Sequence, residues 1–272
     1  AQRFQREILV TAKLQHPHIL PVLSAGATEG LLYYITPYVA GESLRHRLAL
    51  EGALPIDETI RLLGDVADAL AFAHALGVVH RDLKPDNIFL QHGHAILADF
   101  GIARAVEQAS RSAPADRLTP TGSGLGTPGY MAPEQLAGES DVDARADIYA
   151  MGVVAYEMLA GHAIFRGLTA AQLLVAHFTA TPEPIATQRE HVPPELASLV
   201  MRCLEKTPGD RWQSVHDLQP SLQELVVSFV ARPSPSNGGS SAAHAHPTIS
   251  LVTLSGDALR AGLQSFEQLN WR

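Results

Sequence analysis

The chain has 272 residues, 46% of them hydrophobic, enough to bury a substantial core in one large domain or two smaller ones. A formal net charge of -8 excludes a generic binder of phosphate backbone, which carries an excess of Lys and Arg, so nucleic acid is not an expected partner. The single cysteine, Cys203, excludes an internal disulfide framework, fits a reducing compartment, and lies in the apolar run LVMRCL as an expected core residue.

In chain order, residues 2–15 place Phe4, Ile8, Leu9 and Ala12 on one helical stripe, and Pro17 disfavours helical geometry at His16. Strand-like runs ILPVLSA and LLYYIT follow, separated by the turn-like GATEG. A second helix is expected to begin near Asp57, to carry Ile60, Leu63, Val66, Ala67 and Leu70 on its apolar face, and to stop at Gly77. NIFL and AILA bracket HGH in a hairpin pattern. Residues 105–129 are rich in Ala, Ser, Thr, Gly and Pro without a sustained period, and a long loop of this kind inside a compact domain is usually functional.

Further helices are expected over about 143–160, 169–179, 194–206 and 214–230. RPSPSNGGSSAAHAHP, residues 232–247, has the composition of a flexible linker, and residues 248–272 hold one short amphipathic helix, possible start of a further region. No amino-terminal signal pattern is visible. The longest apolar candidate, YAMGVVAYEMLAG, is interrupted by Glu157 and is shorter than the roughly 20 residues of a membrane span, so a soluble chain is expected.

The segment HRDLKPDNIFL stands between two apolar runs, and Pro85 obstructs a helix there. It is a loop that gathers Arg81, Asp82, Lys84 and Asn87, and convergent polar groups on a loop mark a site. Taken with DFG at Asp99 and Phe100 and with GTPGYMAPE ending at Glu134, the chain resembles the eukaryotic-like Ser/Thr protein kinases, particularly their bacterial branch, over roughly residues 3–230.

The resemblance implies an α+β, two-lobed kinase fold over residues 1–231, with an incomplete small β lobe and a mainly helical large lobe. It implies ATP and Mg²⁺ as cofactors and protein Ser/Thr hydroxyls as acceptors. Asp82 would accept or orient the acceptor's proton, Lys84 would approach the moving phosphoryl oxygens, and Asn87 with Asp99 would hold the metal. Around adenine it implies Thr36 as gatekeeper, the backbone of Pro37 and Val39 facing the base, and Phe89 packed beneath it.

Structural roles are implied for His80 against Phe100, for Glu134 paired with Arg211, and for Asp147 accepting backbone N–H groups of the catalytic loop. Thr127 would bond near Asp82, and Arg81 would answer phosphorylation of the loop, with Thr119, Thr121 and Ser123 as candidate sites. Self-association for autophosphorylation, and a cytoplasmic location, either free or as the cytoplasmic part of a membrane-anchored protein, belong to the same expectation.

A G-x-G-x-x-G occurs at Gly124, Gly126 and Gly129, but it lies between DFG and APE with Pro128 inside it, where a nucleotide loop would not be. Glu7 resembles the helix Glu that pairs with the ATP-binding Lys, yet Lys13, Lys84 and Lys206 are the only lysines and none suits that role. The glycine loop and that lysine are therefore expected before residue 1. The alternatives are a kinase-like binding module without activity, and a small-molecule phosphotransferase, which would lack the DFG-to-APE loop, Glu134 and Arg211. Three H-x-H pairs, His16 with His18, His92 with His94 and His244 with His246, each lack a second ligand pair along the chain and are not expected to bind zinc.

Overall fold

The computed structural model describes residues 14–28, 31–100 and 128–230. Glu7, Thr119, Thr121, Ser123 and Thr127 lie outside the described residues, as do residues 2–13 of the helix expected over 2–15, most of the long loop, the linker and the tail; residues 14 and 15, the described end of that expected helix, are not helical.

Strands β1 (Ser24–Thr28) and β2 (Leu31–Ile35) form an antiparallel ribbon in which Gly26 opposes Tyr33. The strand expected from Ile19 is shorter and displaced: Pro21 has no N–H for a ladder, so Ile19 makes only an isolated parallel bridge to Leu97. Pairing begins at Ser24 and takes in Gly26–Thr28, which the sequence assigned to the turn.

A second sheet joins β3 (Glu42–Ser43), β4 (Ile88–Gln91) and β5 (His94–Leu97), all antiparallel. The β4–β5 turn is the expected one, His92 and Gly93 both taking positive φ (52° and 82°), the pair that a two-residue hairpin of matching twist requires.

Helix α1 (Leu44–Glu51) went unpredicted, since only Leu44 and Leu48 are buried along it; it starts where Ser43 Oγ accepts the His46 N–H at 3.2 Å. Helix α2 (Ile56–Ala75) begins one residue before the expected start, has Asp57 and Glu58 in its first turn, and buries the whole predicted stripe. After residue 128 come α3 (Pro133–Leu136), α4 (Arg145–Ala160), α5 (Ala170–Thr179), α6 (Ile185–Gln188), α7 (Pro194–Cys203) and α8 (Val215–Leu225), the last continuing as a π-helical stretch, Val226–Val230.

Every residue of α4 from Ala146 to Leu159 is buried, and the helix packs against α2 and α7. It is the centre of the core. Cys203 is fully buried at the end of α7, and burial pushes its thiol up to about 12, so it behaves as an inert apolar group. Among the described residues no helix is long and apolar enough to cross a membrane.

Candidate active site

The loop between α2 and β4 is held by groups beneath it. Asp147, in the first turn of α4, accepts the His80 N–H on Oδ2 at 2.7 Å and the Arg81 N–H on Oδ1 at 2.8 Å. His74, from the last turn of α2, bonds the same carboxylate at 2.8 Å. Burial would raise the Asp147 pKa, but the His74 bond, neighbouring charge and the loop's N–H groups outweigh it and hold the carboxyl below its usual range. These bonds fix Arg81 at φ 67°, a left-handed conformation that a non-glycine residue keeps only when its surroundings over-determine it. Gln135 of α3 donates to the Arg81 carbonyl at 2.9 Å, and the Arg81 side chain donates to Val142 O at 3.0 Å.

His80 is fully buried with its ring 4.5 Å from Phe100. A carbonyl can only accept, so His80 Nε2 donates to Ala98 O at 2.9 Å, which leaves Nδ1 to accept the Asp82 N–H at 3.3 Å. One imidazole thus ties the Asp82 backbone to the residue before Asp99.

Three predicted site residues meet directly. Lys84 Nζ lies 2.8 Å from Asp82 Oδ2, and Asn87 Nδ2 donates to the Asp82 carbonyl at 2.8 Å and to Asp82 Oδ2 at 3.1 Å. Asn87 sits in the 3-10 turn Pro85–Asn87 and is buried. Its carbonyl receives the Ala98 N–H at 2.9 Å, so Asp99 follows one residue behind a bond to Asn87. Asp99 has φ 65°, and its Oδ1 accepts from Tyr34 of β2 at 2.5 Å. Burial first, then the Asp99 carboxylate, push the Tyr34 phenol well above its ordinary value.

Thr36, Pro37 and Val39 follow β2 as partly buried chain, with the Val39 carbonyl accepting the Gly41 N–H at 3.0 Å. Phe89 stands on β4 opposite Ser43 and Ile96. Glu134 and Arg211 form a buried pair, with bonds of 2.7 and 2.8 Å.

Sequence reasoning missed Tyr34, His74, Gln135 and a second, partly buried ionic group. Arg45 of α1 bonds Glu157 of α4 at 2.8 Å, Tyr130 bonds both of them, and exposed Asp86 stands 3.5 Å from Arg45. Burial, then the Glu157 charge, push the Tyr130 phenol upward. A signal existed: a carboxylate interrupting an otherwise apolar helix requires a buried partner, and Glu157 was read only as a break in a membrane span.

A loop carrying Asp82, Lys84 and Asn87, braced from below by a buried helix and flanked by a three-stranded sheet leading to Asp99, is the mixed α+β arrangement of a protein-kinase-like fold. The chain matches the family model described as Protein kinase domain over residues 1–222. Among similar proteins, Serine/threonine-protein kinase PknB of Mycolicibacterium smegmatis is 36% identical over 225 residues, covering 81% of this chain and 35% of the relative. Serine/threonine-protein kinase pkn3 of Myxococcus xanthus is 37% identical over 231 residues (82% and 42%), and Probable serine/threonine-protein kinase pknA2 of Bifidobacterium longum is 36% identical over 231 residues (83% and 30%). The chain belongs to the protein kinase family. It spans about a third of the length of the curated relatives it matches.

Proposed function

We propose that the protein of which this chain is part transfers the γ-phosphate of ATP to Ser or Thr hydroxyls of other proteins. The observation that carries this reading is the contact of Asp82 with both Lys84 and Asn87, 2.8 and 3.1 Å from a single carboxylate oxygen, on a loop whose backbone is over-determined by Asp147. In the reaction the acceptor oxygen forms a bond to the γ-phosphorus while the bond from that phosphorus to the bridging oxygen breaks. The acceptor's proton goes to Asp82, and Lys84 offsets charge on the transferring oxygens.

Asp99 and the amide oxygen of Asn87 are hard oxygen donors of the kind Mg²⁺ takes, and Asn87 turns its Nδ2 toward Asp82, which leaves Oδ1 as the end for a cation. The ion would supply charge neutralisation at the nucleotide's phosphates. Thr36, Pro37, Val39 and Phe89 are the residues proposed around adenine, and Thr119, Thr121, Ser123 and Arg81 form the proposed phosphorylation-responsive group. The family membership and the names of the similar proteins support a Ser/Thr acceptor.

The test uses the full reading frame that contains this chain, with labelled ATP and a protein acceptor. Asp82→Asn should lower phosphate incorporation into Ser and Thr at least about a hundredfold, on the scale of general-base removal, with folding unchanged by circular dichroism. Labelling at the parent rate would remove Asp82 from this role.

A further inference from the structure

We propose that His18, Asp65 and His94 form a binding site for one divalent transition-metal ion, zinc by preference, on the face of the molecule that β5 shares with α2. The three side chains come from the segment before β1, from the middle of α2 and from the start of β5. Each offers one ligand atom, and these atoms lie within 4.8 Å of one another.

The spacing suits a small tetrahedral ion. Asp65 Oδ1 is 3.4 Å from His18 Nε2 and 3.4 Å from His94 Nδ1. Zinc bonds of about 2.0–2.1 Å to nitrogen or oxygen give a tetrahedron whose edges are about 3.3 Å. Two imidazoles with one carboxylate also favour zinc over magnesium or calcium, which prefer all-oxygen sets.

The orientation of His18 makes the case stronger. Its Nδ1 lies 2.9 Å from Ala95 O, and because a carbonyl only accepts, the proton sits on Nδ1. Nε2 is then the nitrogen aimed at Asp65 Oδ1, the end from which an imidazole would bind an ion. A ring N–H given to a backbone carbonyl while the other nitrogen meets the ion is the usual support of a metal-bound histidine. Asp65 is fixed as well, since its Oδ2 accepts the Ala95 N–H at 2.8 Å. His94, with 57% of its side chain exposed, provides an open side for entry and for a water as fourth ligand. His16 is not a ligand through Nδ1, which accepts the His18 N–H at 3.2 Å while its ring stacks on Phe72.

Along the sequence the H-x-H pairs each lack a second ligand pair. The fold takes one histidine from each of two such pairs and sets Asp65 between them. The ion would staple together three segments, two of which meet through backbone bonds of Leu97 with His18 and Leu20 at 2.9 and 2.8 Å and the third through the bond of Asp65 to the Ala95 N–H. This site does not depend on phosphoryl transfer, and its test reads metal binding alone.

The metal-free chain is titrated with Zn²⁺ against a chromogenic chelator, in excess Mg²⁺ to occupy oxygen-only sites. One equivalent is expected, and Zn²⁺ should raise the melting temperature. His94→Gln, a surface change that leaves folding intact, should weaken this equivalent by at least about tenfold, the scale on which even outer partners of metal ligands act, and should abolish the thermal shift. Asp65→Asn should do the same, and His244→Gln with His246→Gln should not. Co²⁺ in place of zinc should give the strong visible absorption of four-coordination in the parent and lose it in His94→Gln. Unchanged zinc affinity in His94→Gln, or no tight equivalent in the parent, overturns the site.

Discussion

All five N–H groups of Arg211 have acceptors. Nε donates to Glu205 O, one terminal nitrogen to Glu134 Oε1 and Arg145 O, and the other to Glu134 Oε2 and Lys206 O, all between 2.7 and 2.9 Å. The guanidinium is fully buried and lies 4.9 Å from the Tyr149 ring centroid. Removing it would leave Glu134 without its partner in the interior and take a donor from three carbonyls. Arg211→Met is therefore expected to cost about 3–5 kcal/mol in urea denaturation, and Glu134→Gln combined with it should cost less than the two single changes summed. Lys cannot substitute, having three donors on a point charge. The Glu134–Arg211 pairing was legible from motif resemblance, but the three carbonyls were not, because a backbone acceptor has no residue type to reveal it. Tyr34 escaped for a related reason: a Tyr in a strand reads as a pleat filler until the partner across space, here Asp99, is known.

Helices were the most legible elements, since α2, α7 and α8 each show a one-sided apolar pattern with a clear start or stop. Helix α1 was hidden because two buried leucines do not make a period, and the strand after Ile19 was misplaced because apolarity was counted while the missing N–H of Pro21 was not. Helix α4 has no polar face, so its burial on all sides could be read only from its apolar content. At Gly152 that burial leaves no room: a Cβ would stand 2.6 Å from Cys203 Cβ and 3.2 Å from Leu204. Gly152→Ala should lower stability by about 1–3 kcal/mol through overpacking, against the roughly 1 kcal/mol that alanine normally contributes to a helix. A shift of the denaturation midpoint to lower urea, with an unchanged slope, is the expected record.

At the scale of the molecule, the order of motifs along the chain made the loop of Asp82, Lys84 and Asn87 visible, whereas groups assembled from distant segments were not. His177 of α5 is one: its Nδ1 faces the Tyr149 hydroxyl at 2.9 Å, Lys206 Nζ lies 3.3 Å from that hydroxyl, and the Phe165 ring meets it edge-on. Burial, then the Lys206 charge, lower His177 from 6.5 to about 4. Between those values the unfolded chain binds a proton that the folded chain refuses, so stability rises with pH across this window and is fully present above 6.5. The gap corresponds to about 3 kcal/mol, lost as pH falls from 6.5 toward 4. Urea melts at several pH values should show this slope, and His177→Phe should flatten it.

Helix α4 carries Asp147 toward the loop at His80 and Arg81, gives the Arg145 carbonyl to Arg211, and sends Glu157 to Arg45 and Tyr130. Each residue turns an α-helix by about 100° and advances it about 1.5 Å, so one residue gained or lost midway would swing Glu157 round the axis relative to Asp147. The helix is thus a ruler with marks at both ends, and drift in chain length among descendants of this sequence is confined to the connections, where no such phase has to be kept.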